Sequence, residues 1–420
     1  MATAAKRTRQ RYQETDLERQ TRVQAGFPEL EDTMPLLSSR LSCSLIDRLT
    51  SYLGPRNPLC HLVDSEKDSV WLLDNTAYLS TPLTTAAGQH WQAEFVAAYF
   101  VKNSGKDVSR IVADLSEKMA LEQGDLAEAT IRERVQPFVD SILPAHSVYV
   151  QIGDGKATKR LGPSDRNGIS SDLVCFTGNY TDGQTITSQA IGMQSATPLT
   201  TTFAAPTGWA VISDIDDTIK RTMTASPIGI LRTTFVETPQ PIAGMPELYA
   251  HIKWRLSAPP FWYLSASPYN LYPFLREFRE EHYPPGTIIL RESSWMNLAG
   301  ILTSLTQGTQ AYKVDRMEKI HRWFPGRKFV CVGDSTQSDP EAYGEIYRRH
   351  PGWIGAIFIR KVMDIPDLDE SGKNKNERFE KALEGVPRDV WHVFTDPAEL
   401  YERVNQLPKM RSSKALRWVG

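Results

Sequence analysis

From residue 207 onward, short apolar, β-favouring runs alternate with helical segments, and this alternation constrains the fold more than any other feature of the chain. Residues 209–213, 261–264, 287–290, 328–332 and 355–359 read as strands, and 246–256, 273–282, 312–323 and 339–350 as helices. Strand and helix in turn imply a parallel sheet with helices on both faces. The run Trp209-Ala-Val-Ile212 is apolar throughout, as a strand buried on both faces must be. Ligands of such sheets bind outside the carboxyl ends of the strands, so the residues that close each strand carry the functional information.

The first strand runs into Asp214-Ile-Asp216-Asp217-Thr218, three carboxylates in four positions. Strand sides alternate, so Asp214 and Asp216 point the same way if the strand continues, or meet round a loop if it ends. Carboxylates held this close repel unless a cation or a shared proton relieves them. Oxygen ligands of this kind suit Mg²⁺ and its phosphate partners. The competing reading is an Asp-rich turn with a helix N-cap at Asp217 or Thr218. Two further strands also end in chemistry: 261–264 in Ser265, and 328–332 in Gly333-Asp334-Ser335, with Lys313 opening a helix between them. Scattered polar caps have no reason to assemble an Asp/Asp/Ser/Lys/Asp set at strand ends. Ser267 stands as an alternative to Ser265, and Lys253, Lys319 and Lys328 compete with Lys313. Asp217 reads as a cap or hydrogen-bond partner, and His251, His282, His321 and His392 show no mutual metal spacing.

In this order the motifs resemble those of the haloacid dehalogenase superfamily of phosphotransferases. Asp214-Ile-Asp216-Asp217-Thr218 matches the first motif, Ser265 the second, Lys313 the third, and Gly333-Asp334-Ser335 with Asp339 the fourth. More narrowly, Ser213-Asp-Ile-Asp-Asp-Thr-Ile-Lys220, Tyr263-Leu-Ser-Ala-Ser-Pro268 and Gly333-Asp-Ser-Thr-Gln-Ser-Asp-Pro-Glu341-Ala-Tyr343 are similar to the fungal actin-patch phosphatidate phosphatase family. Upstream, Trp71-Leu-Leu-Asp-Asn-Thr-Ala77 and Trp91-Gln-Ala-Glu-Phe95 resemble the same family. The resemblance implies an α/β protein with a haloacid dehalogenase-like, Rossmannoid parallel-sheet catalytic domain. It implies Mg²⁺-dependent hydrolysis of phosphatidate to diacylglycerol and phosphate. Asp214 would be the nucleophile that forms an aspartyl-phosphate. Asp216 would protonate the leaving oxygen and then deprotonate the hydrolytic water. The resemblance places Mg²⁺ on Asp214, Asp334 and the backbone carbonyl of Asp216, with Asp339 in support directly or through water. Ser265 and Lys313 would hold the phosphoryl oxygens, joined in substrate binding by Thr218.

Upstream of residue 207 the texture changes twice. Residues 1–45 alternate charge with Gln, Thr and Ser and read as a disordered leader. Residues 46–145 read as a helical region after a β-like opening at 70–73. Trp91, Phe95, Ala98 and Tyr99 recur at helical spacing, as do Val108, Ile111, Val112, Leu115 and Met119, and then Ile131, Val135, Phe138 and Ile142. Pro137 is expected to kink or restart the last of these. Residues 146–205 read as a small β-rich domain, with strands at 148–152, 172–176 and 184–191 set off by turns such as Asn167-Gly168 and Asp182-Gly183. The catalytic domain is expected over 207–400, with a basic tail at 401–420.

With 40% hydrophobic and 23% charged residues and a net charge of −2, no bias points to nucleic acid. Cys43, Cys60, Cys175 and Cys331 are scattered and imply neither a zinc site nor a disulfide framework. The longest apolar runs are too short to span a bilayer. The N-terminus lacks the apolar segment of a secretory signal, so a cytoplasmic location is expected. A lipid substrate then requires peripheral contact with a membrane surface. Two stretches offer it: the loop 223–245 with Ile228, Ile230, Leu231 and Phe235, where the superfamily inserts a small cap, and the basic, partly apolar run from Lys409 to Trp418. The resemblance adds cortical actin patches and endocytic partners, although Pro55-Arg-Asn-Pro58 is the one evident P-x-x-P for SH3 recruitment. Two rivals stand beside this reading: a phosphatase of a soluble or protein phosphomonoester, and a membrane-trafficking adaptor with a vestigial site.

Overall fold

The computed structural model describes residues 61–80, 90–102, 109, 112–113, 125–140, 142–291 and 309–409, apart from 154, 156, 166, 194–195, 366–367 and 369–371. The expected leader, most of the 108–119 stripe, the P-x-x-P and the tail beyond residue 409 lie outside the described residues.

The amino-terminal elements are β1 (His61–Leu62), β2 (Asp68–Leu72), β3 (Asn75–Ser80), β4 (His90–Val101), α1 (Asp125–Val139), β5 (His146–Ile152), β6 (Ala157–Leu161), β7 (Ile169–Phe176), β8 (Thr185–Ala190) and β9 (Leu199–Phe203). Their strands form one sheet in the order β1-β5-β8-β9-β3-β4-β2, with β6 beside β5 and β7 beside β4. Pairing is antiparallel except between β1 and β5 and between β3 and β9.

The expected helix over 91–99 is a strand. Trp91, Phe95 and Tyr99 lie four apart, a spacing that shares one face of a helix and equally one face of a strand. The choice was made by partners: β2, β3 and β7 all pair with β4. Trp91, Ala93, Phe95, Ala97 and Tyr99 then fill the sheet's own core. Ala98 and Phe100 point the other way, into the core shared with the carboxyl-terminal half. The regions expected to be helical and β-rich therefore contribute strands to a single sheet. The last apolar stripe does form a helix, α1, which runs through Pro137 and stops before Ile142.

The carboxyl-terminal half follows the expected alternation: β10 (Gly208–Asp214), α2 (Pro227–Phe235), α3 (Met245–Arg255), β11 (Phe261–Pro268), α4 (Tyr272–His282), β12 (Thr287–Arg291), α5 (Thr309–Trp323), β13 (Arg327–Asp334), α6 (Asp339–Arg349), β14 (Ile354–Arg360), α7 (Asn376–Ala382), β15 (Trp391–Phe394) and α8 (Leu400–Gln406). The six strands are all parallel, in the order β12-β11-β10-β13-β14-β15. Alternate residues of β10 serve opposite cores. Trp209 and Val211 pack with α3, α4 and α8, while Ala210 and Ile212 pack with α5, α6 and α7. Each fully buried large apolar side chain contributes about 1.5–3 kcal/mol, so a strand apolar on both faces must lie at the centre. Four elements were not expected: α2, α7, β15 and α8. Helix α8 carries the domain past residue 400, burying Leu400 and Val404, and Pro408 accepts a hydrogen bond from Trp209 Nε1 at 2.9 Å.

Charged and aromatic contacts join the two sheets. Buried Asp74, on the turn between β2 and β3, meets Arg279 at 2.9 Å and Arg276 at 3.3 Å on α4. Glu94 pairs with Lys319 at 2.6 Å, and Tyr78 stacks on Trp323. Arg327 donates to the carbonyls of Ala205 and Trp209 and pairs with Asp182 at 2.5 Å. Among the described residues, no helix is long and apolar enough to cross a membrane.

Candidate active site at the strand ends

Strands β11, β10 and β13 are adjacent in the sheet, so Ser265, Asp214 and Asp334 come side by side at its carboxyl edge. Two helices complete the cluster. Lys313 lies in the early turns of α5, and Asp339 is the first residue of α6, where the helix dipole favours a negative charge. Asp214, Asp216, Ser265, Lys313, Asp334 and Asp339 are all buried.

Lys313 Nζ pairs with Asp214 Oδ1 at 2.7 Å and donates to Asp339 Oδ1. Burial opposes its charge, but Asp214, Asp339 and Asp334 outweigh burial and hold the ammonium above its ordinary value. The carboxylates outnumber that single ammonium. Burial, and after it the charges of Asp339, Asp334 and Asp216, raise Asp214 well above the usual carboxylate range against the opposing pull of Lys313. Asp334 is raised by burial and by Asp339.

Asp334 is held in place from several sides. Its Oδ1 accepts from the Thr336 amide at 2.6 Å and from the Thr336 hydroxyl, and its Oδ2 accepts from Thr218 Oγ1 at 2.9 Å. Thr218 Oγ1 also lies 3.2 Å from Asp214 Oδ2, so this hydroxyl bridges two carboxylates. Asp339 Oδ2 accepts from the Asp334 amide at 3.1 Å. That contact needs Gly333, because a Cβ there would stand 2.5 Å from Asp339 Cβ.

Asp216 is turned away from this group. Its Oδ2 accepts from Ser265 Oγ at 2.5 Å and, more distantly, from Ser267 Oγ at 3.4 Å. Its Oδ1 accepts from Thr222 Oγ1 at 2.9 Å. Of the two serines, Ser265 makes the short contact, and its hydroxyl also accepts from the Ser267 amide at 2.9 Å. Asp217 has a left-handed φ of 57°, uncommon for a residue with a Cβ. Its carboxylate gathers the amides of Thr222, Met223 and Thr224 and the Thr224 hydroxyl within 2.6–2.9 Å, which over-determines the strained backbone. As a hydrogen-bond partner rather than a metal ligand, it shapes the loop behind the site.

The donor chemistry fits a hard divalent cation. Asp214, Asp334 and Asp339 each offer a carboxylate oxygen, all within 4.8 Å of one another. Asp214 Oδ1 has its ion-pair partner but receives no well-directed hydrogen bond. Crowded carboxylates with spare lone pairs are the oxygen ligands that Mg²⁺ takes. The side chain of Asp216 is not in this group, leaving its backbone carbonyl as the means of participation expected for it.

Several site residues escaped the sequence reading. Thr222 braces Asp216, Thr224 links Asp217 to Thr336 at 2.7 Å, and buried Lys220 donates to Thr222 Oγ1 at 3.1 Å. Their one signal was the density of Thr just behind the carboxylates, Thr218, Thr222 and Thr224. The expected cap loop is a correction. Ile230, Leu231 and Phe235 lie on α2 and are buried in the core, and of the four apolar residues only Ile228 is exposed, at 50%. Lys319 and Lys328 are engaged elsewhere, with Glu94 and the Gly352 carbonyl.

The fold and the site together define an α/β domain with a buried carboxylate–lysine centre at the carboxyl ends of parallel strands. Residues 209–361 match the family described as "Phosphatidate phosphatase APP1, catalytic domain". Phosphatidate phosphatase APP1 of Saccharomyces cerevisiae is 28% identical over 292 residues, 66% of this chain and 49% of the yeast protein. An uncharacterized protein of Schizosaccharomyces pombe is 31% identical over 161 residues, 37% of this chain and 26% of its own length. The chain thus spans half or less of the length of these curated relatives. A β-glucuronidase structure from Ruminococcus gnavus aligns over 78% of this chain and 54% of its own at 9% identity, with a TM-score of 0.20, too low to indicate a shared fold.

Proposed function

We propose that the chain is a Mg²⁺-dependent phosphatidate phosphatase with a haloacid dehalogenase-like catalytic domain, releasing diacylglycerol and phosphate. The observation that carries the reading is the convergence of Asp214, Asp216, Ser265, Lys313, Asp334 and Asp339 at one sheet edge. They lie within the segment matched to the phosphatidate phosphatase catalytic domain. Phosphoryl transfer is mostly a matter of positioning and charge neutralisation, and a buried ammonium among carboxylates suits both.

Asp214 is the nucleophile: its carboxylate attacks phosphorus and carries the phosphoryl group as an aspartyl-phosphate. Lys313, at 2.7 Å, screens the negative charges of nucleophile and phosphoryl group from each other. Asp216 delivers a proton to the departing diacylglycerol oxygen and then accepts one from the water that hydrolyses the intermediate. The hydrogen bond from Thr222 holds its carboxylate oriented through both steps, while the Ser265 hydroxyl, which donates to Asp216 in this structure, turns to the phosphoryl group when substrate binds. Ser265 and Lys313 bind the phosphoryl oxygens, and Thr218 keeps Asp214 and Asp334 in register. Mg²⁺, held by Asp214, Asp334 and Asp339 with the backbone carbonyl of Asp216, supplies neutralisation of the phosphoryl charge when bound. The substrate is met peripherally, at a membrane surface.

The test is phosphate release from phosphatidate in mixed micelles, with Mg²⁺ or with EDTA, for wild type, Asp214→Asn and Asp216→Asn. Mg²⁺-dependent release that vanishes in both variants is the expected result. Turnover of a soluble phosphomonoester but not of phosphatidate would overturn the lipid assignment and keep the chemistry. Folded wild-type protein inert toward both would sink the enzymatic reading.

A further inference from the structure

A second set of metal-type ligands lies away from the strand ends, where the last turns of α5 meet the end of α6. Glu318 and His321 sit one helical turn apart on α5, and His350 closes α6. The sequence spacing of the histidines suggested no such group, because His350 reaches His321 only across the β13 crossover. Glu318 Oε2 is 2.8 Å from His350 Nε2. The imidazoles of His321 and His350 stack with centroids 3.6 Å apart and planes at 19°. One ligand atom from each of the three residues lies within 4.8 Å of the others, and all three are partly buried.

The surroundings prepare these atoms for a ligand. Arg349 Nη1 holds Glu318 Oε1 at 3.1 Å, leaving Oε2 toward the imidazoles. Trp353 walls one side with its ring edge-on to His321 at 5.2 Å. Burial and the adjoining His350 push His321 below its ordinary value. None of the three takes part in the phosphatase chemistry proposed above.

We propose that Glu318, His321 and His350 form a binding site for a divalent transition-metal ion, Zn²⁺ in the first place. Two imidazole nitrogens and one carboxylate oxygen are a donor set that Zn²⁺ accepts, with a water completing the coordination. Mg²⁺ prefers oxygen ligands and is selected against here. Rotation of the imidazoles about χ2 turns their nitrogens onto the ion and opens the stack. The ion fastens α5 to α6, whose opposite ends present Lys313 and Asp339 to the strand-end site, so its role is to fix two helices and not to act on substrate.

The test is Zn²⁺ binding by equilibrium dialysis in excess Mg²⁺, comparing wild type with His321→Ala/His350→Ala. The double variant keeps Asp214, Asp334 and Asp339, so the expected result is loss of a single Zn²⁺ ion relative to wild type. Co²⁺ provides a readout on the unaltered protein: wild type in excess Mg²⁺ should develop the intense visible absorption of a nitrogen-ligated, low-coordinate site, which an all-oxygen site lacks. Equal Zn²⁺ binding by the two proteins, or no such Co²⁺ band in wild type, overturns the proposal. Neither readout depends on turnover, so failure here and failure of the phosphatase reading are distinguishable; if the double variant does not fold, the Co²⁺ spectrum decides alone.

Discussion

Replacing Gly333 by alanine places a single methyl group where the strand-end site has no room. The new Cβ would stand 2.5, 2.6 and 2.7 Å from Cβ, Cγ and Oδ2 of Asp339. Carbon contacts settle at about 3.5–4.0 Å, so Asp339 must retreat by roughly 1 Å. Two opposing effects act on stability. Overpacking costs about 1–3 kcal/mol, and restricting the unfolded chain returns only about 0.4–1 kcal/mol. The clash wins, and a modest net loss is expected in the urea midpoint. The effect on turnover should be far larger. Asp339 holds Lys313 and accepts from the Asp334 amide, so its retreat loosens two partners of the site at once. A displacement near 1 Å costs on the order of 10²-fold in rate. The assay is Mg²⁺-dependent phosphate release from phosphatidate alongside urea unfolding. A variant as active and as stable as wild type would refute the role assigned to this close approach.

Lys313→Met removes the ammonium paired with Asp214 and Asp339 and leaves buried carboxylates unscreened; breaking such a pair costs about 3–5 kcal/mol, and an unchanged urea midpoint would contradict the electrostatics described. Without metal, stability should also depend on pH through Asp214 and Asp334, whose folded-state values are raised above 3.8. The folded protein keeps protons that the unfolded chain has released, so stability falls as pH climbs from about 4 toward the raised values. Lys313, itself raised, stays charged throughout that window. In EDTA, the urea midpoint of Asp214→Asn should therefore decline less than that of wild type as pH rises; parallel declines would show that Asp214 is not the source. Asp74→Ala strands Arg279, which is as buried as its partner, and should destabilise by about 3–5 kcal/mol while the folded fraction keeps its turnover, checked by urea unfolding and phosphate release.

The chain itself determined the parallel half of the molecule and the makeup of its candidate site. Strands β10 and β13 are apolar on both faces, which only a central strand under helices tolerates, and the period of the intervening segments is helical. Once strand order is known to run in βα units, the polar residues that end those strands must meet at one edge, so Asp214, Ser265 and Asp334 were legible before any coordinate. The rest needed tertiary structure, because it depended on what lies across space. Trp91, Phe95 and Tyr99 satisfy two periods at once, and only the ladders to β2, β3 and β7 made β4 a strand. Ile230, Leu231 and Phe235 looked available to a membrane until α2 turned them into the core. Thr222 and Thr336 became braces, and Glu318 met His321 and His350, only through the folding of loops and helices onto one another. Periodicity records which side of an element faces inward. Which residue meets which, and so which charges are screened and which lone pairs remain open, is decided by packing between elements far apart in the chain.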